Sequence, residues 1–247
     1  MTLHALLIIT GPSCVGKSPL LKALERTEPA WTSSLRPLVL YNSRDPRPGE
    51  TEGKDYYFRS RREIEAMEED PEKVLLDVRG DLQALDLGEL RGELAHGPVI
   101  YEGNPFIGCM LQKDEAMAEI PRRSVFISPL SREELAAVGK QRGRGEVEAF
   151  VTEVMRRKLL RRTRKQKAIL SLPDLETIER RASSAWKEIG MAPEFDHVVV
   201  NHDGEDSENW DAFAVPLGEA RRTLFATCHA LQGKPHEALE TWDALPD

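Results

Sequence analysis

The stretch GPSCVGKSPL, residues 11–20, constrains this chain more than any other. It follows the apolar run Leu6-Leu7-Ile8-Ile9 and leads into Leu20, Leu21, Ala23 and Leu24 at helical spacing. A run that is apolar at every position suits a strand buried on both faces. Strand, glycine loop and helix in that order, carrying Gly-x-x-x-x-Gly-Lys-Ser, make a phosphate-binding loop. Gly11 and Gly16 permit backbone angles and close approaches that a side chain would block. The loop and the helix N-terminus aim N–H groups at an anion, aided by the helix dipole. Lys17 supplies a cation to the β/γ-phosphates, and Ser18 can ligate Mg²⁺. The expected nucleotide-phosphate-contacting set is Gly11, Ser13, Cys14, Gly16, Lys17 and Ser18, with Mg²⁺ as the implied metal.

Two residues in the loop are unusual. Pro19 has no backbone N–H; the first helical turn tolerates that, but one donor to the α-phosphate is lost. A hydrogen bond to a charged group contributes about 1.5–3 kcal/mol, so the loop is weakened rather than abolished. Cys14 stands where such loops often carry glycine. It is either a small residue filling the loop or a low-pKa thiol beside Lys17 and a helix N-terminus.

Further short apolar strands are expected at residues 98–101, 124–127 and 197–200, separated by helices at about 131–140 and 175–189. Strands alternating with helices predict an α/β fold with a parallel sheet. Residues 43–60 (SRDPRPGETEGKDYYFRS) have little apolar content and read as a loop-and-hairpin excursion. Arg44 and Arg47, three apart on a proline-stiffened loop, suit bidentate capture of a phosphate monoester. Residues 156–167 (RRKLLRRTRKQK) are strongly basic, while Val147, Val151, Val154, Met155 and Leu159 keep a helical apolar stripe through the region. The tail reads as a helix with Leu224, Phe225, Cys228 and Leu231 on one face. After Pro235 a short last helix carrying Leu239 and Trp242 is expected.

Net charge is −8 over 247 residues, and the basic run has no interleaved aromatics, so nucleic acid is ranked last among partners. No apolar run is long enough to span a bilayer. The three cysteines are scattered without C-x-x-C spacing, which suits a reducing compartment and a cytoplasmic location.

Taken together, these motifs resemble guanylate kinase. GPSCVGKS is similar to that family's G-P-S-G-x-G-K-S, and SRDPRPGETEGKDYYF to its T-R-x-x-R-x-G-E-x-x-G-x-D-Y-x-F. ISPLS (127–131) resembles I-x-P-P-S, and EFDHVVVNHD (194–203) resembles Y-D-x-V-V-V-N-D-D, in the same order. The resemblance implies a P-loop NTPase-type three-layer fold with an inserted NMP-binding subdomain and a helical lid. Residues 1–36, 98–138 and 191–247 would form the core with a C-terminal helical extension, 37–97 the NMP-binding subdomain, and 139–190 the lid with its basic insertion.

The resemblance implies γ-phosphoryl transfer from ATP to a nucleoside monophosphate, with (d)GMP the leading acceptor. Lys17 would stabilise the transferred group, while Arg44, Arg47, Glu50 and Tyr56 form the acceptor-phosphate site. Glu102 and Asn104, in YEGN, stand where the family places two aspartates near Mg²⁺ and the acceptor; Ser18 and Glu102 are the expected metal ligands. Arg181 resembles the family's lid arginine, and Arg162 or Arg164 is favoured for the second. Asn201 would lie by the adenine. The family reads guanine with a glutamate and a G-N-x-Y-G-[ST] segment; here residues 75–90 (LLDVRGDLQALDLGEL) offer at most Asp77. Two alternatives follow: a different nucleotide or sugar-phosphate acceptor, and a guanylate-kinase-like binding module without turnover. The implied partners are small nucleotides, and a homodimer is compatible with this reading.

Overall fold

All five residues of β1 (Leu6–Thr10) are buried, because parallel neighbours flank it on both edges. The computed structural model describes residues 4–46, 49–113, 115–167 and 169–245. The remaining strands are β2 (Arg36–Pro37), β3 (Leu40–Asn42), β4 (Tyr56–Phe58), β5 (Lys73–Val78), β6 (Asp81–Asp86), β7 (Val99–Gly103), β8 (Arg122–Ser128) and β9 (His197–Val200). The helices are α1 (Lys17–Thr27), α2 (Pro29–Thr32), α3 (Arg61–Glu65), α4 (Leu87–His96), α5 (Pro105–Lys113), α6 (Arg132–Arg142), α7 (Val147–Gln166), α8 (Leu172–Ile189) and α9 (Gly218–Gln232). No helix among the described residues is long and apolar enough to cross a membrane.

The central sheet has the order β2-β7-β1-β8-β9, every pair parallel, as the alternation of strands and helices predicts. In register, Ile9 lies beside Glu102 of β7 and Val125 of β8, so the strands' C-terminal ends lie level with the loop that follows β1. In open parallel sheets that edge is where ligands bind.

A second sheet, β4-β3-β6-β5, is mixed. The expected hairpin at residues 43–60 is not formed, because β4 pairs parallel to β3, with Leu40 opposite Tyr56 and Asn42 opposite Phe58. A two-residue turn cannot reverse a chain into a parallel partner; that takes a connection of about a dozen residues. Residues 43–55 supply it, tied internally by Arg44 to Glu50 and by the Thr51 N–H to Asp55. Side chains alternate across this sheet. One face packs Leu82, Ala84, Tyr41 and Leu75 onto Ile64 of α3, while Leu40, Tyr56, Leu76, Val78 and Leu85 on the other face join the main core.

α7 and α8 pack against each other. The predicted stripe on α7 is buried at Val147, Val151, Met155 and Leu159, with Val154 half-buried. α8 begins at a capping box, in which Ser171 and Asp174 satisfy each other's backbone N–H groups. Its buried stripe includes one carboxylate, Glu188, which is fully buried.

The expected helix after Pro235 is absent among the described residues. Instead Glu240 forms an antiparallel bridge with Val198, its N–H and C=O exchanging bonds of 2.9 and 2.8 Å. β9 is the last strand of the central sheet, and its exposed edge captures the tail. Trp242 is buried there at 2% exposure, its indole N–H donating to Glu240 at 2.7 Å.

Candidate functional site

The loop between β1 and α1 is held by close approaches. A Cβ on Gly11 would fall 2.3 Å from the Ile127 carbonyl, and φ there is +145°. Gly16, at φ +96°, caps α1; a Cβ on it would lie 2.6 Å from the Asn201 amide. Lys17 is 6% exposed and donates from Nζ to the carbonyls of Gly11 and Pro12, both at 2.8 Å. Burial lowers its pKa, and Glu102 opposes the shift. Ser18 is exposed at the second position of α1. Pro19 follows it, and the helical ladder starts only at Leu20, whose N–H reaches Gly16 O at 3.0 Å. The missing N–H of Pro19 therefore costs the helix nothing.

Cys14 is fully buried with φ +69°, in the left-handed region that glycine normally fills. Burial, reinforced by Glu205, pushes its thiol up to about 12. Desolvation here outweighs the helix N-terminus, so the residue is a loop-filling thiol and not a low-pKa nucleophile. Asn201 is also fully buried. Its Nδ2 donates to the Val15 carbonyl at 2.6 Å, bracing the loop from beneath, where its expected place by the adenine would have left it facing ligand. Trp210, buried against the same loop with its indole N–H on Gly204 O at 2.7 Å, has no motif to announce it.

The loop forms one wall of a cleft of about 850 Å³. The second sheet supplies another wall, and α7 and α8 a third. Arg44 enters from the second sheet, its fork closed on Glu50 at 2.6 and 2.7 Å and its plane over the Tyr56 ring at 5.1 Å. Burial lowers the Arg44 pKa, but the Glu50 contact outweighs that and the net shift is upward. Arg47 lies outside the described residues. From α7, Arg162 lines the cleft and binds Glu205 at 2.8 Å, while its Nε is buried without a partner among the described residues. Arg181 of α8 lines the cleft as well. Arg164 is exposed and is not among the lining residues.

Glu102 and Asn104 stand at the C-terminal end of β7. Glu102 is half-buried; burial raises its pKa, and Lys17 pulls it back. Asn104 uses Oδ1 to accept the Ile107 N–H at 3.0 Å in the first turn of α5, and its Nδ2 approaches Gln83 at 3.5 Å. Among the described residues no cluster of three His, Cys, Asp or Glu could form a closed metal site. Mg²⁺ does not need one, since it is held by one or two protein oxygens with water and substrate phosphates. Exposed Ser18 and the Glu102 carboxylate facing Lys17 fit that demand.

Asp77 does not reach the cleft. Its register partner is Leu82, which packs on α3, so the period of two turns Asp77 to the far face. There it accepts the Gly80 N–H at 2.7 Å and pairs with Arg61 at 3.5 Å. Asp81 and Gln83 line the cleft instead. Arg79, at φ +59° in the β5–β6 turn, also lines it and donates to Glu188 and Ser184 of α8. Only its place in a cross-sheet turn distinguishes it, and the sequence pattern does not reveal that.

The guanylate kinase family model matches residues 4–81. A guanylate kinase of Rhodococcus jostii is 33% identical over 208 residues, spanning 80% of each chain. Those of Corynebacterium jeikeium and Thermosynechococcus vestitus are each 31% identical, over 208 and 215 residues, covering 80% and 82% of this chain and 88% of theirs. The similarity runs through the loop, the second sheet and the helices that close the cleft: this chain belongs to the guanylate kinase family.

Proposed function

We propose that this chain is an ATP-dependent nucleoside monophosphate kinase, moving the γ-phosphoryl group of ATP to an acceptor of which GMP or dGMP is the leading candidate. One observation carries the reading. A single cleft brings Lys17 and Ser18 of the phosphate loop together with Arg44 and Tyr56 of the second sheet and with Arg162 and Arg181 of the helical wall. Cations from three separate elements converge where the ATP triphosphate and the acceptor's monophosphate would meet, and phosphoryl transfer asks a protein for little beyond positioning and charge stabilisation.

In this reading residues 37–97 hold the acceptor, 139–190 form the lid, and the rest is the core. The loop amides and Lys17 bind the β/γ-phosphates. Arg44, stiffened by Glu50 and stacked on Tyr56, takes the acceptor's phosphate together with Arg47. Bound Mg²⁺, held through Ser18 and Glu102, would neutralise phosphate charge. Arg162 and Arg181 close on the transferring group from the helical side.

Incubation with Mg·ATP and a panel of nucleoside monophosphates and sugar phosphates, followed by ADP release, tests this. Acceptor-dependent turnover with a nucleoside monophosphate is expected. Turnover with a sugar phosphate alone would move the acceptor class, and no turnover with any acceptor would leave a binding module.

A further inference from the structure

We propose that Arg79 is a further substrate-contacting arginine: anchored from behind by Glu188, it turns its outer nitrogen to the phosphate of the nucleotide seated on the second sheet. The inference rests on the kinase reading above and adds to its site a cation that no motif in the sequence marks.

Register puts Arg79 at the phosphate end of the sheet. β3 pairs with β6 so that Asn42 lies opposite Gln83, and the Ser43 N–H donates to the Leu82 carbonyl at 2.9 Å. Arg44 therefore emerges level with Asp81. Asp81 in turn lies opposite Val78, the last residue of β5, and the two-residue turn Arg79-Gly80 joins them. Arg44, to which the proposed function gives the acceptor's phosphate, and Arg79 thus leave the sheet at one end, and both line the cleft. Asp55 and Asp81 line it too and would repel a phosphate, so a further cation at this end of the sheet offsets them.

Helical spacing fixes the other side. Arg181, Ser184 and Glu188 stand at i, i+3 and i+7 on α8 and share one face. Arg79 donates from Nε to Ser184 at 3.4 Å and, through Nε and Nη2, to Glu188. Its guanidinium is thereby held one to two helical turns, about 5–10 Å, along that face from Arg181. A group between Arg44 on the sheet and Arg181 on the helix faces the junction of the acceptor's phosphate with the transferring phosphoryl group. Lys17 registers the same neighbours: burial is the main reason its pKa is lowered, Glu188 opposes the shift after Glu102 and Glu205, and Arg79 adds to it.

The guanidinium is preorganised as Arg44 and Arg162 are. Glu50 stands behind Arg44, Glu205 behind Arg162 and Glu188 behind Arg79. Glu188 is fully buried and the Arg79 side chain is 15% exposed, so the cation sits in a poorly solvated wall. Its Nε and Nη2 are spent on α8, and Nη1 makes no hydrogen bond among the described residues. A guanidinium carries five N–H donors in a fixed fork, and the unspent edge suits phosphate oxygens. The backbone points the same way. Arg79 has φ +59° and Gly80 φ +92°. Two-residue hairpin loops with positive φ at both positions favour Asn, Asp or Gly. A long side chain in such a place is strain kept for what the side chain does.

Three proteins decide the matter: wild type, Arg79→Lys, and the double variant Arg79→Met/Glu188→Leu, which leaves no buried charge unpaired. Each is titrated by calorimetry with ATP and with GMP, AMP, CMP and UMP, the parent nucleosides are measured by competition against the monophosphates, and turnover is assayed. In the double variant the best-bound monophosphate should lose about ten- to a hundredfold in affinity, while its nucleoside and ATP change by less than about threefold. Arg79→Lys keeps a cation for Glu188 and hence the fold, but one ammonium cannot serve both groups, so the monophosphate-to-nucleoside preference should fall by about tenfold. A role confined to holding the sheet on α8 would weaken monophosphate and nucleoside together. A preference unmoved in either variant would overturn the contact and leave the kinase intact. An Arg79-dependent preference without turnover in the wild type would sink the kinase and keep the contact. Failure of the wild type to bind any of the four monophosphates would remove both.

Discussion

Arg79 and Glu188 tie the turn of the second sheet to α8, and removing the cation should cost far more than a surface ion pair does. Glu188 is fully buried and the Arg79 side chain is 15% exposed, with Ser184 adding a hydrogen bond to the same carboxylate at 2.6 Å. Glu188 Oε2 has no partner among the described residues, so the carboxylate depends on what reaches Oε1. Arg79→Met leaves an uncompensated buried charge, a change that costs about 3–5 kcal/mol. For a chain of this length each kcal/mol moves Tm by about 2–4 °C, so a fall of about 6–20 °C is expected in thermal unfolding followed by circular dichroism. The double variant Arg79→Met/Glu188→Leu replaces both partners by apolar groups and should recover most of the loss. A non-additive cycle with a coupling of about 2 kcal/mol or more is therefore the signature. Because the pair joins the second sheet, where the proposed function seats the acceptor, to the helical wall, the single variant should also raise the acceptor KM more than it changes ATP affinity. A single-variant cost below about 1 kcal/mol, the range of exposed pairs, would refute the reasoning, as would strictly additive behaviour.

Pro19→Thr restores a backbone N–H beside the phosphates without disturbing the helix, and should tighten ATP by about ten- to a hundredfold; an unchanged Kd in titration calorimetry would remove the α-phosphate account of this residue. Cys14→Gly relieves left-handed strain of about 1–2 kcal/mol but costs about 0.5–1 kcal/mol of chain entropy and the packing of a fully buried thiol, so Tm should move by no more than a few degrees. In the native wild type, Cys14 should resist thiol reagents until unfolding, since its thiol is buried and pushed up to about 12. His202 lies between Glu134 and Glu219 at 2.9 Å from each; burial lowers its pKa, but the hydrogen bond and charge of Glu134, with Glu219, outweigh that and raise it. A raised His pKa gives stability that is present below about 6.5 and lost as pH rises through the folded-state value. Tm against pH should therefore decline over that window in wild type and flatten in His202→Gln.

Much of the core could be read from sequence because its determinants are local. A strand apolar at every position, a glycine loop and a helix lie in consecutive residues around Lys17, and the other parallel strands announce themselves the same way. The second sheet was less legible, because facing is set by register and register is set by partners far along the chain. Asp77 is the acidic residue nearest the expected base-reading position, yet pairing with Leu82 sends it away, while Gln83 and Arg79 reach the cleft with no motif around them. Asn201 shows a related limit. A motif names the residue, but only the fold shows that its Nδ2 goes to the Val15 carbonyl beneath the loop and that its Oδ1 is left buried without a partner among the described residues. The tail failed for a third reason. Its helical pattern was overridden by the free edge of β9, a competitor that exists only once the sheet has formed.

The basic run on α7 shows how a charge cluster divides once it is folded. Arg156 is taken by Glu153 and Glu179, Lys158 by the His202 carbonyl, Lys165 by the Asp206 carbonyl and Lys167 by Asp174. These contacts spend the charge within the chain: Arg156 and Lys167 fasten this region to α8, and Lys158 and Lys165 fasten it to residues 202–206. Arg162 differs. Burial lowers its pKa, but Glu205 with neighbouring acids keeps it firmly protonated, and its Nε still has a buried N–H to give. Its anchor Glu205 donates its own N–H to the Cys14 carbonyl at 3.2 Å, so the guanidinium is positioned by the loop it faces. A donor aimed at developing phosphate charge contributes to kcat by about 10²–10³. Arg162→Met should show that loss with acceptor KM little changed, and Arg162→Lys should restore stability through Glu205 but not the forked contact, leaving kcat low. If Arg162→Lys recovers full kcat, the residue is a fastener like its neighbours on α7, and the transferring phosphoryl group is served from α8 by Arg181.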